Sequence, residues 1–365
     1  MKFVDEYRDP VRIRQLLDRL GECMTQDWTI MEVCGGQTHA FLRFGLEQLL
    51  PDGLTLIHGP GCPVCVTSAY LIDGAIDLVG DPAVTLCTYG DMMRVPGSQG
   101  DLLSARAGGG DVRVVYSPVE AVTLAQQNPQ RQVVLFAVGF ETTTPGTALA
   151  VLQAAELGLR NFFIIPAHVR VPPALCAIMR TPEVQLQGFL AAGHVCAVMG
   201  TQEYGPIADE FAVPIVVTGF EPVDLMQGLL NCVQQLEQGS ARVDNQYQRV
   251  VRIEGNATAR RLIAQVFEPV DRDWRGMGVI DGGGLGLRAA YAQFDAGQRW
   301  ACNESVQART DRGSGCCAGQ VLIGAMRPQA CPHFGVDCTP ENPMGAPMVS
   351  TEGACAAYYH YRQQA

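Results

Sequence analysis

The segment Thr55-Leu56-Ile57-His58-Gly59-Pro60-Gly61-Cys62-Pro63-Val64-Cys65 passes from a short apolar run, through a glycine and proline turn, into a helical pattern continued by Val66, Ala69, Tyr70, Asp73 and Ile76. The same order stands at Thr29–Val33, which runs into Cys34-Gly35-Gly36-Gln37-Thr38-His39 and a helix pattern over Thr38–Leu50. Strand, turn and helix in that order make the repeating unit of a parallel α/β sheet. Free backbone N–H groups at a helix start favour a thiolate over a thiol, so Cys34, Cys62 and Cys65 are better placed for chemistry than for packing.

Working outward, an amphipathic helix over Pro10–Leu20 precedes the first unit, and further apolar runs follow at Val84–Thr88, Val112–Tyr116, Val133–Val138, Phe162–Pro166, Val195–Met199 and Pro214–Thr218. Each is short and continuously apolar, as expected of strands covered on both faces. Gly139-Phe140-Glu141 and Gly219-Phe220-Glu221 echo each other after their strands. The expected fold is α/β: two parallel-sheet units around a cleft, placed at residues 1–125 and 126–228, plus a C-terminal segment at 229–365 that is rich in Gly, Pro and Cys. The motifs fall at strand carboxyl ends, where open α/β sheets bind ligands. A loop-rich segment of the third kind is commonly held by a metal site.

Composition narrows the function. The chain has 365 residues, a net charge of -11 and 47% hydrophobic residues. The acidic balance argues against a nucleic-acid partner, and no apolar run approaches the roughly 20 residues of a membrane span. The N-terminus turns acidic where an export signal needs an apolar core, so the expected location is cytoplasmic. Lys2 is the only lysine, which removes Schiff-base chemistry and a lysine-dependent phosphate loop. The glycine stretches Gly108–Gly110 and Gly282–Gly286 therefore read as turns.

Fourteen cysteines in such a chain suit reduced thiols, metal ligands or redox pairs. The two residues between Cys62 and Cys65 let the sulfurs close a disulfide or bind one metal, with redox work favoured over a structural zinc half-site. Cys34 beside two glycines looks accessible and suits a soft metal such as iron, and His39 is a ligand, an acid/base group or a structural residue. Glu141, among three threonines, and His194 are candidate acid/base groups. Cys316, Cys317, Cys331, Cys338 and Cys355 lie among turn-formers, and four such thiolates hold either an iron–sulfur cluster or zinc. Cys302 is the weakest candidate. Cys23, Cys87, Cys176, Cys196 and Cys232 read as inert thiols.

Five motifs in one order carry a resemblance: Cys34–His39, Gly59–Cys65, Tyr89-Gly90-Asp91-Met92-Met93-Arg94-Val95-Pro96-Gly97, Gly139-Phe140-Glu141-Thr142-Thr143-Thr144-Pro145 and Ser350-Thr351-Glu352-Gly353-Ala354-Cys355-Ala356-Ala357-Tyr358-Tyr359. Together they resemble the HypD family of NiFe-hydrogenase maturation factors, nearly end to end. The resemblance implies an accessory assembly factor with redox activity, a scaffold on which iron receives its cyanide and carbon monoxide ligands. It implies a HypC-type small chaperone and a HypE-type cyanide donor as partners, with the hydrogenase large-subunit precursor served indirectly. Carried onto this chain, Cys34 is the iron thiolate, His39 an essential neighbour and Cys62 with Cys65 the redox dithiol. A 4Fe-4S cluster then falls to Cys317, Cys331, Cys338 and Cys355. Gln37 stands where the family usually has histidine. Ala318 stands where it usually has a cluster cysteine, so Cys317 or Cys316 substitutes by a short shift. The rival reading is an independent thiol–disulfide oxidoreductase with a structural zinc site.

Overall fold

Apolar runs of four to eight residues, many of them β-branched, form the strands, and the glycine and proline turns after them start the helices. The computed structural model describes residues 4–98, 100–182, 184–300 and 315–361. Cys302 lies outside the described residues. The strands are β1 (Trp28–Glu32), β2 (Leu54–His58), β3 (Val84–Thr88), β4 (Val112–Val114), β5 (Gln132–Gly139), β6 (Phe162–His168), β7 (Gly188–Ala192), β8 (Ile215–Thr218), β9 (Val243–Asn245), β10 (Phe267–Trp274) and β11 (Gly278–Leu287).

They form a five-stranded sheet in the order β2-β1-β7-β8-β9, a four-stranded sheet in the order β4-β3-β5-β6, and a β10-β11 hairpin. Every pairing in the first two sheets is parallel. The fold is therefore α/β as expected, with a cysteine-bearing C-terminal segment. The sheets group their strands differently from the division at residues 125 and 228: β1 and β2 pair with β7 to β9, while β3 to β6 form the second sheet. Positions 125 and 228 fall inside the helices Pro118–Gln127 and Pro222–Glu237. A parallel pair needs only a crossover that returns to the sheet edge, and four intervening strands serve as that crossover as well as one helix does.

Two local expectations are corrected. Val195–Met199 is not a strand but part of the helix Gly193–Met199, and the strand is the preceding Gly-Phe-Leu-Ala-Ala of β7. Burial of all five β7 residues erases any alternation that would have marked them. Gly282–Gly286 is not a turn but part of β11. There, a side chain on Gly284 would meet the Arg272 side chain at 2.6 Å, so glycine makes room for Arg272.

The hairpin ties the units together, bridging to Thr67 through Trp274 and to Val169 through Gly284. One apolar cluster gathers Cys34, Cys62 and Cys65 with Phe140, Val169 and the fully buried Trp274. The ends of β1 and β2 thus meet the end of β5 across a packed interior. Among the described residues no helix is long and apolar enough to cross a membrane.

Candidate functional site

The two cysteine turns meet backbone to backbone. The Gly35 N–H donates to the Gly61 carbonyl at 3.0 Å, and a Cβ on Gly61 would fall 2.3 Å from the Cys34 Cα. Gly35 in turn lies under the Glu352 carbonyl, 2.2 Å from where its Cβ would be. The glycines admit the chain's own backbone rather than an outside partner, and the expected accessibility of Cys34 is corrected: it is 4% exposed.

Cys34 is the N-cap of the helix Gly35–Arg43, yet its side chain caps nothing. Burial first, and then the charge of Glu32, push its thiol above the ordinary value. The expectation that the helix start favours a thiolate is thus reversed in the free protein, because loss of solvation outweighs the amides Gly36 and Gln37 offer. The imidazole beside the sulfur belongs to His194, whose Nδ1 stands 3.7 Å from Cys34 Sγ. Phe220 backs that ring at 5.3 Å between centroids. Burial holds His194 below the usual histidine range, so it is neutral and free to accept a proton.

His39 is not gathered with them. One turn along the helix, its Nε2 pairs with the Tyr361 hydroxyl at 2.8 Å. Cys62 and Cys65 form a disulfide with Cα atoms 5.2 Å apart, at 2% and 0% exposure. Glu141 is buried at the end of β5, with Oε1 accepting from the Val171 N–H at 3.0 Å and Oε2 unpartnered among the described residues. Burial pushes its carboxyl up to about 7, against backbone N–H groups and Arg170.

Sequence reasoning missed what lies beneath the Cys34 turn. Register pairs Glu32 with His58 across β1 and β2. His58 Nδ1 lies 2.6 Å from Glu32 Oε1, and Glu32 Oε2 accepts the Cys34 N–H at 2.9 Å. Thr38 also donates its hydroxyl to Glu32. On the far side, His58 Nε2 meets the Tyr358 hydroxyl at 3.0 Å, which donates to Glu47 at 2.7 Å. Burial works against charge on His58, but bonds to Glu32 and Glu47 raise it to about 9, an imidazolium at neutral pH. A charged residue closing an apolar strand was the only available signal.

All five distal cysteines, Cys316, Cys317, Cys331, Cys338 and Cys355, line one small cavity. Val321, Phe334, Met344 and Met348 also line it, as does His333. Cys317, Cys331, Cys338 and Cys355 are free thiols. Among the described residues no three Cys, His, Asp or Glu side chains are gathered as one metal ion would hold them. Five thiols in a largely apolar wall, with the His333 imidazole beside them, are a donor set that fits an iron–sulfur cluster. Of the adjacent pair, Cys316 packs inward against Gly345, 2.4 Å from where a Cβ would be. Burial and then the charges of Cys316, Cys338 and Cys331 raise Cys355. Cys317, by contrast, answers after its own burial only to Cys331 and leans on the Gly315 carbonyl at 3.8 Å. The cavity thus brings together Cys331, Cys338 and Cys355 with both candidates, Cys316 the more enclosed of the two.

The HypD model, described as the hydrogenase formation hypA family, matches residues 11–362. The hydrogenase maturation factor HypD of Rhodobacter capsulatus is 47% identical over 99% of this chain and 98% of its own length. Its namesake in Escherichia coli (strain K12) is 47% identical, covering 100% of this chain and 99% of its own. That of Azotobacter vinelandii is 48% identical over 100% and 98%. Matched from end to end through both cysteine turns and the distal sulfur cavity, the chain belongs to the HypD family of hydrogenase maturation factors.

Proposed function

We propose that this chain is the scaffold on which a hydrogenase's iron acquires its cyanide and carbon monoxide ligands, with iron as cargo on Cys34. The observation that carries this is the Cys34 sulfur 3.7 Å from a neutral His194. A buried thiol gives up its proton when a cation arrives to balance the thiolate, and His194 is the base in reach. A cysteine of a HypC-type chaperone would share the iron, a HypE-type protein would bring cyanide as a thiocyanate, and the hydrogenase large-subunit precursor would receive the product indirectly. The setting is cytoplasmic.

Release of cyanide from a thiocyanate consumes two electrons. Cys62 and Cys65 supply them: their S–S bond forms, two protons leave, the carrier's S–C bond breaks, and the carrier keeps its sulfur as a thiol. A 4Fe-4S cluster held by Cys331, Cys338, Cys355 and Cys316, the last in place of Cys317, would supply single electrons. Cys65 points toward that side, its sulfur 3.9 Å from the carbonyl of Ala346, next to the cavity-lining Gly345 and Pro347. An independent thiol–disulfide oxidoreductase fits less well, because it leaves the Cys34–His194 pair without a role.

The test is infrared spectroscopy of the chain copurified anaerobically with its small chaperone. Cyanide and carbon monoxide bands are expected for wild type and absent for Cys34→Ala. Bands of equal strength in the variant would overturn the assignment of iron to Cys34.

A further inference from the structure

The C-terminal helix Ala354–Tyr361 faces two places at once. Cys355 lines the sulfur cavity, while Tyr358, one turn on, reaches His58, the imidazole bonded to Glu32 beneath the Cys34 turn. Nothing in the proposed chemistry uses that second contact. Its construction is nonetheless complete: both nitrogens of His58 and both oxygens of Glu32 are engaged.

We propose that Tyr358 and His58 are positioning residues for Cys34, bracing Glu32 so that the Cys34 sulfur stays turned toward His194. The helix start explains why a brace is needed. The first N–H groups of a helix need outside acceptors, and the Cys34 side chain, which occupies the capping position, supplies none. Glu32 steadies the helix start from the end of β1 without replacing the cap, holding the N–H of the capping residue Cys34 with one oxygen and the Thr38 hydroxyl with the other. A carboxylate on a two-carbon stem keeps such a pose only if something fixes it. His58 does so from the neighbouring strand, in register, and is itself held by the Tyr358 hydroxyl, which Glu47 anchors at 2.7 Å. The tyrosine oxygen is the one atom of the C-terminal helix in this chain of bonds, so removing it tests the brace without changing the packed shape.

The inference rests on the reading of Cys34 as the iron thiolate, but its test does not use iron. The reduced full-length chain is alkylated with iodoacetamide under anaerobic conditions, and the rate at each cysteine is read by peptide mass spectrometry. Cys87 and Cys232, both fully buried, serve as internal references. Tyr358→Phe and His58→Gln are expected to raise the rate at Cys34 relative to both references by about tenfold, the equilibrium weight of one lost hydrogen bond. Glu47→Gln, which keeps an acceptor for the tyrosine, is expected to stay near wild type. An unchanged Cys34 rate in both variants, or a rise shared by Cys87 and Cys232, would overturn the proposal. Persistence of infrared bands in Cys34→Ala would instead sink the iron assignment and leave the alkylation ratios standing as a measure of the brace.

Discussion

His194 Nδ1 stands 3.7 Å from Cys34 Sγ, and the two residues follow β7 and β1, hydrogen-bonded neighbours in the five-stranded sheet. A nucleophile and a base are therefore held by one rigid element, not by two independent loops. With the thiol raised by burial and by Glu32, Cys34 carries a proton throughout the neutral range. Its alkylation rate is expected to climb about tenfold per pH unit from pH ~7 to ~9 without a plateau. His194→Ala is expected to slow the appearance of cyanide bands by about 100-fold, a typical loss for a general base. Stopped infrared sampling after mixing with the chaperone complex checks it.

The cavity sulfurs separate by substitution. Cys316→Ala, Cys331→Ala, Cys338→Ala and Cys355→Ala should each lose the brown colour and the absorption at about 400 nm expected of thiolate-bound iron. Cys317→Ala should keep most of it. Iron analysis and the visible spectrum of anaerobically purified protein measure both, and the opposite pattern at 316 and 317 would return the ligand to Cys317.

Backbone contact between the two turns carries a stability cost when it is blocked. Gly61→Ala places a methyl 2.3 Å from the Cys34 Cα and 2.4 Å from its nitrogen, and neither atom can swing aside as a side chain can. The expected loss is about 3 kcal/mol, the upper end for overpacking, read as a fall in urea midpoint at constant slope. Gly90→Ala, which meets nothing within 4 Å, is the control.

Glu141 makes stability depend on pH. Its folded carboxyl lies near 7 against an ordinary 4.5, so the native state holds a proton that the unfolded chain releases earlier. The sign follows: this site's contribution is full below pH 4.5 and is lost as pH rises to about 7. Glu141→Gln is expected to flatten that decline by up to roughly 3 kcal/mol between pH 4 and 8. Urea melts of both proteins across that range measure it, and parallel curves would show that the carboxyl titrates normally.

The buried disulfide should discriminate among reductants by size. At 2% and 0% exposure, Cys62 and Cys65 are expected to resist a folded protein reductant such as thioredoxin. A small phosphine should reduce them under the same conditions. Thiol counting after acid quench separates the two, and equal rates would mean that the turn opens readily.

The strand-turn-helix units and most strands were legible because each is a short apolar run closed by glycine or proline. Cys34, Cys62, Cys65 and the distal cysteines were legible because thiols in turns are chemically conspicuous. His194 was visible only as a candidate, since Val195–Met199 resembled a strand and hid the true order of β7 and the helix after it. His39 was given the place beside Cys34 that His194 holds, because sequence proximity says nothing about which neighbour a sheet brings in. Glu32 and Tyr358 were invisible: their meaning lies in the β1–β2 register and in a contact spanning 300 positions between His58 and Tyr358.

The order of strands also governs synthesis. β1 and β2 are made first, but β1 lies in the interior of its sheet and receives its second neighbour only when β7 follows the whole four-stranded sheet. His194, Phe220 and Glu352, which enclose the Cys34 turn, come later still. A chain emerging from the ribosome therefore carries Cys34 long before it has a pocket for it, and the enclosure closes only once Glu352 has been made.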